Sequence, residues 1–105
     1  QFFELGRTEW LRKLGVTYKD MEIGGIMLPV ISLTCNFIKS AIYDDILTIE
    51  TILVKKPMVK IEFTYNITNQ NKELICTGNS VLAFMNMKTS RPTRCPEHLL
   101  ESLGY

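Results

Sequence analysis

The sequence has one histidine and three cysteines in 105 residues, and no two cysteines form a CxxC pair. That inventory is too small and too scattered for a metal site, and Cys35, Cys76 and Cys95 read as reduced, buried thiols of a cytoplasmic protein. The histidine, His98, lies in "PEHLLESL" with no partner at the spacing of a nucleophile pair, so a solvated surface side chain is expected. Charge of one sign is also missing. Twelve Lys and Arg against eleven Asp and Glu leave a formal charge of +1, which provides no global field for nucleic acid or a membrane surface. No apolar run approaches the length of a bilayer span, and no secretory pattern opens the visible chain. The chain starts on Gln1 inside a helical pattern, so it is expected to continue upstream.

What is present fits a small core. Apolar residues make up 46% and charged residues 22%, the balance of one globular domain over residues 1–105. In "FFELGRTEWLRKLG" the residues Phe2, Phe3, Trp10, Leu11 and Leu14 recur at helical spacings, and the helix is expected to bury Phe2, Phe3, Trp10 and Leu14. Arg7, with Glu4, Thr8, Arg12 and Lys13, falls largely outside that stripe. Gly15 stops the helix, and "TYKDMEIGG" supplies a short second turn. In "IMLPVISLTCNFIKS", Ile31, Leu33, Cys35 and Phe37 alternate with polar residues, a strand with one buried face. Pro29 places its start at a sheet edge or on a bulge.

A second strand runs from about 46 to 54, with Leu47, Ile49 and Leu53 on one face. The third is the clearest: Val59, Ile61, Phe63, Tyr65 and Ile67 alternate with Lys60, Glu62, Thr64, Asn66 and Thr68, as in an antiparallel sheet with one wet face. "NQNK" forms a polar hairpin loop. "ELICTGNSVLAFMNM" is a central strand, with Gly78 marking a bulge or a close backbone approach. "PEHLLESL" closes the chain as a helix with Pro96 at its start. The result is an α+β arrangement of four antiparallel strands with a helix on one face. Its free edge would gain by pairing with a second subunit.

Few residues carry chemistry. Asp44 and Asp45 are adjacent, so an extended backbone points them apart and they read as turn and cap residues rather than a proton-sharing dyad. "NIT" at Asn66 matches a glycosylation acceptor, but it lies within a strand of a chain that reads as cytoplasmic. Two basic groups remain, Lys55 with Lys56 between the second and third strands, and Lys88, Arg91 and Arg94 after the last one. Each is either ordinary surface charge or part of a site for a phosphorylated ligand.

"FFELGRTEWLRKLG", "GIMLPVISLTC", "AIYDDILTIET" and "MNMKTSRPTRCPEHL", in that order and spacing, resemble the 4-hydroxybenzoyl-CoA thioesterase-like branch of the hotdog-fold acyl-CoA thioesterases. The resemblance covers nearly the whole chain. It implies a hotdog fold, in which an antiparallel sheet wraps a central helix, and homodimers or tetramers. It also implies hydrolysis of an acyl-CoA thioester with no metal or organic cofactor. The family's first strand and its motif, an aspartate, two residues, glycine, an aromatic and then His-Gly-Asn-Tyr, do not occur in residues 1–105. The resemblance therefore makes this an N-terminally incomplete domain whose principal catalytic aspartate is expected upstream of Gln1. It assigns Glu4, the carboxylate of the first helical turn, a helper or structural role. Lys55 and Lys56 match the basic stretch that contacts nucleotide phosphates in some relatives, and Lys88, Arg91 and Arg94 match the basic tail. Two readings stand: an acyl-CoA thioesterase, or a non-catalytic hotdog module that binds acyl-CoA or an acyl carrier partner.

Overall fold

The alternation of residues 61, 63, 65 and 67 decides the architecture, because it gives one strand a fully apolar face that another layer must cover. The computed structural model describes residues 2–105; Gln1 lies outside them. Helix α1 (Phe2–Lys13) is followed by α2 (Tyr18–Ile23), β1 (Ile26–Met27), β2 (Val30–Phe37) and β3 (Thr48–Leu53). Then come β4 (Lys60–Thr68), β5 (Leu74–Ala83), β6 (Met85–Asn86) and α3 (Glu97–Ser102). Four strands form an antiparallel sheet in the order β2-β5-β4-β3, and β1 pairs with β6 in a separate two-stranded ribbon.

As expected, β5 is central. Its register sets Leu82, Ser80, Gly78 and Cys76 opposite Ile61, Phe63, Tyr65 and Ile67, so these eight positions share the face that α1 covers. On the wet face Asn79 donates to Glu62 at 2.9 Å and Asn66 to Glu50 at 3.1 Å, keeping the polar side chains paired across the strands.

Local chemistry fixes how α1 ends. Gly15 sits at φ 77°, the Gly15 amide donates to the Arg12 carbonyl, and the Val16 amide reaches back to Leu11. This is a Schellman ending, with buried Val16 and Leu11 supplying its apolar contact. Thr17 then caps α2 by accepting from the Asp20 amide at 3.0 Å. The Tyr43–Asp45 turn is held by Asp45, which accepts from the Ile42 amide and from Gln70, while Asp44 takes the left-handed position of the turn at φ 74°.

Gly78 is a close approach. A Cβ there would lie 2.3 Å from the Phe3 ring, which stacks on Tyr65 at 4.5 Å. The glycine lets α1 settle onto β5, and Gly78 itself lies outside any register shift.

Two expectations are corrected. The helix face is rotated: Phe3, Gly6, Arg7 and Leu11 are buried, Trp10 and Leu14 pack partly against the core, and Phe2 is 54% exposed. The buried set follows i, i+3, i+4 and i+8, a face that includes the charged Arg7. Strand β2, expected to bury Ile31, Leu33, Cys35 and Phe37, is exposed along its whole length, with Leu33 at 46% and Phe37 at 80%. It is the outer strand, and α1 lies over the strands beyond it. Its register shift between Val30 and Ser32, just after Pro29, matches the expected edge position and bulge.

Candidate functional site

The N-terminal turn of α1, the second half of β2, the end of β4 and the start of β5 converge. Phe2 and Phe3 from the helix, Leu33, Cys35 and Phe37 from β2, Ile67 from β4 and Cys76 from β5 line a cavity of about 220 Å³. A second cavity of about 420 Å³ continues past Phe2 and Phe37 toward Ser40, Ala41 and Leu47. Together they make an apolar trough that begins beside Phe2 and Phe3 of α1.

Phe3 of the trough stacks on Tyr65, which belongs to a buried polar chain. Arg7 is 5% exposed and donates from Nη1 to the Tyr65 hydroxyl at 3.2 Å and from Nε to the Tyr18 hydroxyl at 3.4 Å. The Tyr65 and Ser80 hydroxyls are 2.6 Å apart. Burial works against the Arg7 charge, but the hydrogen bonds to Tyr65 and Tyr18 outweigh it and leave the guanidinium pKa above its ordinary value. Burial raises the Tyr18 hydroxyl pKa, with Arg7 opposing. Among the described residues no buried side-chain nitrogen or oxygen is left without a hydrogen-bond partner.

Cys35 and Cys76, both on the trough wall, bring their sulfurs within 3.2 Å. Burial, then the contact with Cys35, pushes the Cys76 thiol up to about 11. Burial alone does the same to Cys95.

The residues singled out in the sequence are spread over α1, the loop before β4 and the segment after β6. Glu4 is exposed in the first turn of α1 and lines neither cavity of the trough, and its carbonyl accepts from the Thr8 hydroxyl. Lys55 and Lys56 are exposed in the loop before β4, with the Lys56 ammonium 5.6 Å from the Tyr105 ring centre. The Cys95 amide donates to the Met58 carbonyl at 2.7 Å, which holds exposed Arg94 and the segment from Arg91 beside that loop. Lys88 is exposed on the turn after β6, where the Met87 amide bonds Gly25. At a rise of about 3.3 Å per residue, the six-residue step from Ile61 to Ile67 puts roughly 20 Å between this basic end and the trough.

Sequence reasoning missed the polar chain, because Arg7 read as a solvent-facing charge. Its spacing from Phe3 and Leu11, together with an inward Tyr65 whose hydroxyl needs a partner, was the available signal. His98 is exposed on α3. Among the described residues no group of three or more His, Cys, Asp or Glu is placed to hold a metal ion, and no helix is long and apolar enough to cross a membrane.

Comparison with known proteins gives this geometry its context. A Bacillus subtilis (strain 168) protein named provisionally as an acyl-CoA thioesterase, YneP, is 26% identical over 91 residues, 87% of this chain and 66% of that protein, so the chain spans slightly less than two thirds of that relative. A DHNA-CoA thioesterase from Staphylococcus aureus superposes with a TM-score of 0.90 at 31% identity, covering 98% of this chain and 71% of that one. Another Staphylococcus aureus protein, solved in complex with CoA, shares the fold at a TM-score of 0.89 and 14% identity over 98% of this chain and 65% of its own. The antiparallel sheet wrapped on α1 is the hotdog fold, shared with the DHNA-CoA thioesterase. The family model of the thioesterase-like superfamily matches residues 1–103, and the chain belongs to that superfamily.

Proposed function

We propose that this chain carries the substrate-holding part of an acyl-CoA thioesterase, which hydrolyses the thioester bond to give free acid and CoA. The observation that carries the reading is the apolar trough opening at the N-terminus of α1, with a separate basic end of the molecule about 20 Å away. An acyl-CoA has that elongated form, with its hydrocarbon next to the thioester and its phosphates remote from it. The acyl group lies in the trough, and the resemblance turns the N-terminal end of this helix, with its dipole, toward the carbonyl oxygen as it gains charge. A carboxylate then serves as nucleophile or as base for water. The resemblance puts the principal one upstream of Gln1, with Glu4 as helper. Lys55, Lys56, Lys88, Arg91 and Arg94 hold phosphates. Three free thiols fit a reducing, cytoplasmic setting.

Replacing Lys55 and Lys56 together by alanine is expected to raise KM for acyl-CoA roughly tenfold with little change in kcat. Exposed charge contacts are worth about 0.5–1 kcal/mol each, and binding of remote phosphates is shared by ground and transition states. Steady-state kinetics checks this, and the effect should shrink in high salt and vanish for a truncated thioester without the nucleotide. An unchanged KM would move the phosphate site to Lys88, Arg91 and Arg94. If acyl-CoA binds but no form of the protein that includes the upstream segment cleaves it, the binding-module reading replaces the enzyme.

The exposed β2 edge supports a homo-oligomer, a dimer or a pair of dimers. It combines unpaired backbone groups with the apolar side chains Val30, Ile31, Leu33 and Phe37, a combination that a second β2 would cover. Sedimentation velocity at micromolar concentration should show a species at least twice the chain mass. A stable monomer would remove this assembly.

A further inference from the structure

We infer that Cys35 and Cys76 form a reversible disulfide within one chain, making the edge strand and the trough wall sensitive to peroxide. The sheet register places Cys35 opposite Gly78, and Cys76 opposite Phe37, so the two cysteines are diagonal neighbours on the face that carries α1. Gly78 has no side chain to stand between them, and the sulfurs come within 3.2 Å. Closing that gap to a bond of about 2.05 Å takes a movement of about 1.2 Å. Within the chain, strand β2 has β5 as its single sheet neighbour, so the link would fasten the edge strand to the sheet interior.

The two thiols differ in the way a stepwise oxidation requires. Cys35 is exposed and meets the oxidant, whereas Cys76 is buried and its high pKa keeps it protonated and unreactive on its own. Hydrogen peroxide transfers one oxygen to the Cys35 sulfur, giving a sulfenic acid and a water. The Cys76 sulfur then attacks the Cys35 sulfur, the S–O bond breaks, and the departing hydroxide takes the Cys76 proton as a second water. Two thiols and one peroxide become one disulfide and two waters, with the two electrons supplied by the sulfurs. Because both side chains line the trough with Phe3 and Phe37, the new bond ties β2 to β5 where the acyl group is proposed to lie. Cys95 stands apart, its sulfur against the Pro96 carbonyl at 3.7 Å, and takes no part.

The test exposes the folded chain to hydrogen peroxide and follows intact mass, peptide maps and thiol labelling. The expected product has lost two hydrogens, links the peptides of Cys35 and Cys76, keeps Cys95 open to labelling after denaturation, and returns to the starting mass with dithiothreitol. Cys95→Ser should still form it. Cys35→Ser, a change at an exposed site, should not. Accumulation of oxygen adducts on Cys35 without the link to Cys76, a link between two chains through Cys35, or failure of Cys95→Ser to form the product would each overturn the inference.

Discussion

Phe63→Asp is expected to leave little folded protein under conditions where the parent is fully native. Phe63 is 1% exposed at the middle of β4, meets the Trp10 ring edge-on at 4.9 Å and sits opposite Leu53 and Ser80 on the flanking strands. Truncating a buried phenylalanine costs about 3–5 kcal/mol, and an unpaired carboxylate in its place adds several more. A domain of this size is stable by about 5–15 kcal/mol in total. The neighbouring Glu62→Lys faces the other way. It gives up one hydrogen bond from Asn79 on the wet face, and its cost should stay under about 1 kcal/mol. Thermal melts of the two variants separate these cases, and equal shifts would mean that the two faces of β4 have been exchanged.

That contrast shows why some of the fold was legible. Strand β4 has a neighbour on each side and a helix above it, so burial follows its alternating pattern along Ile61, Phe63, Tyr65 and Ile67. Strand β2 carries the same alternation and buries none of it, because burial at an edge depends on what lies beyond the edge. Helix α1 was legible as a helix but not in its rotation. Leu11 lies on both candidate stripes, and what separates them is whether Arg7 is counted as inside. The contact between Cys35 and Cys76 depends on the β2 and β5 register, which no spacing between two distant strands encodes. The catalytic and phosphate-binding assignments come from motif resemblance. Geometry adds that the Cys95 amide ties the segment after Arg94 to the Met58 carbonyl, just after the Lys55 and Lys56 loop.

Arg7→Ala is expected to destabilise the chain by about 2–4 kcal/mol, whereas Arg7→Met should stay within about 1 kcal/mol of the parent. Alanine removes the buried stem and leaves a cavity between α1 and the sheet. It also takes one donor each from Tyr65 and Tyr18, although Tyr65 keeps Ser80. Methionine restores most of the volume and removes the need to hold a charge away from water. That need is real here. Among the described residues the ion pairs are Arg12 with Glu9 and Lys39 with Glu73, so Arg7 is held by phenols rather than by a salt bridge. A guanidinium stays charged at any working pH, and replacing a buried charge by an apolar side chain of similar size is often neutral or better. Urea titrations followed by Trp10, the single tryptophan, measure both variants in one assay. If Arg7→Met falls as far as Arg7→Ala, the charge itself organises Tyr18 and Tyr65. The double variant with Tyr65→Phe should then return a coupling of about 1–2 kcal/mol rather than additive losses.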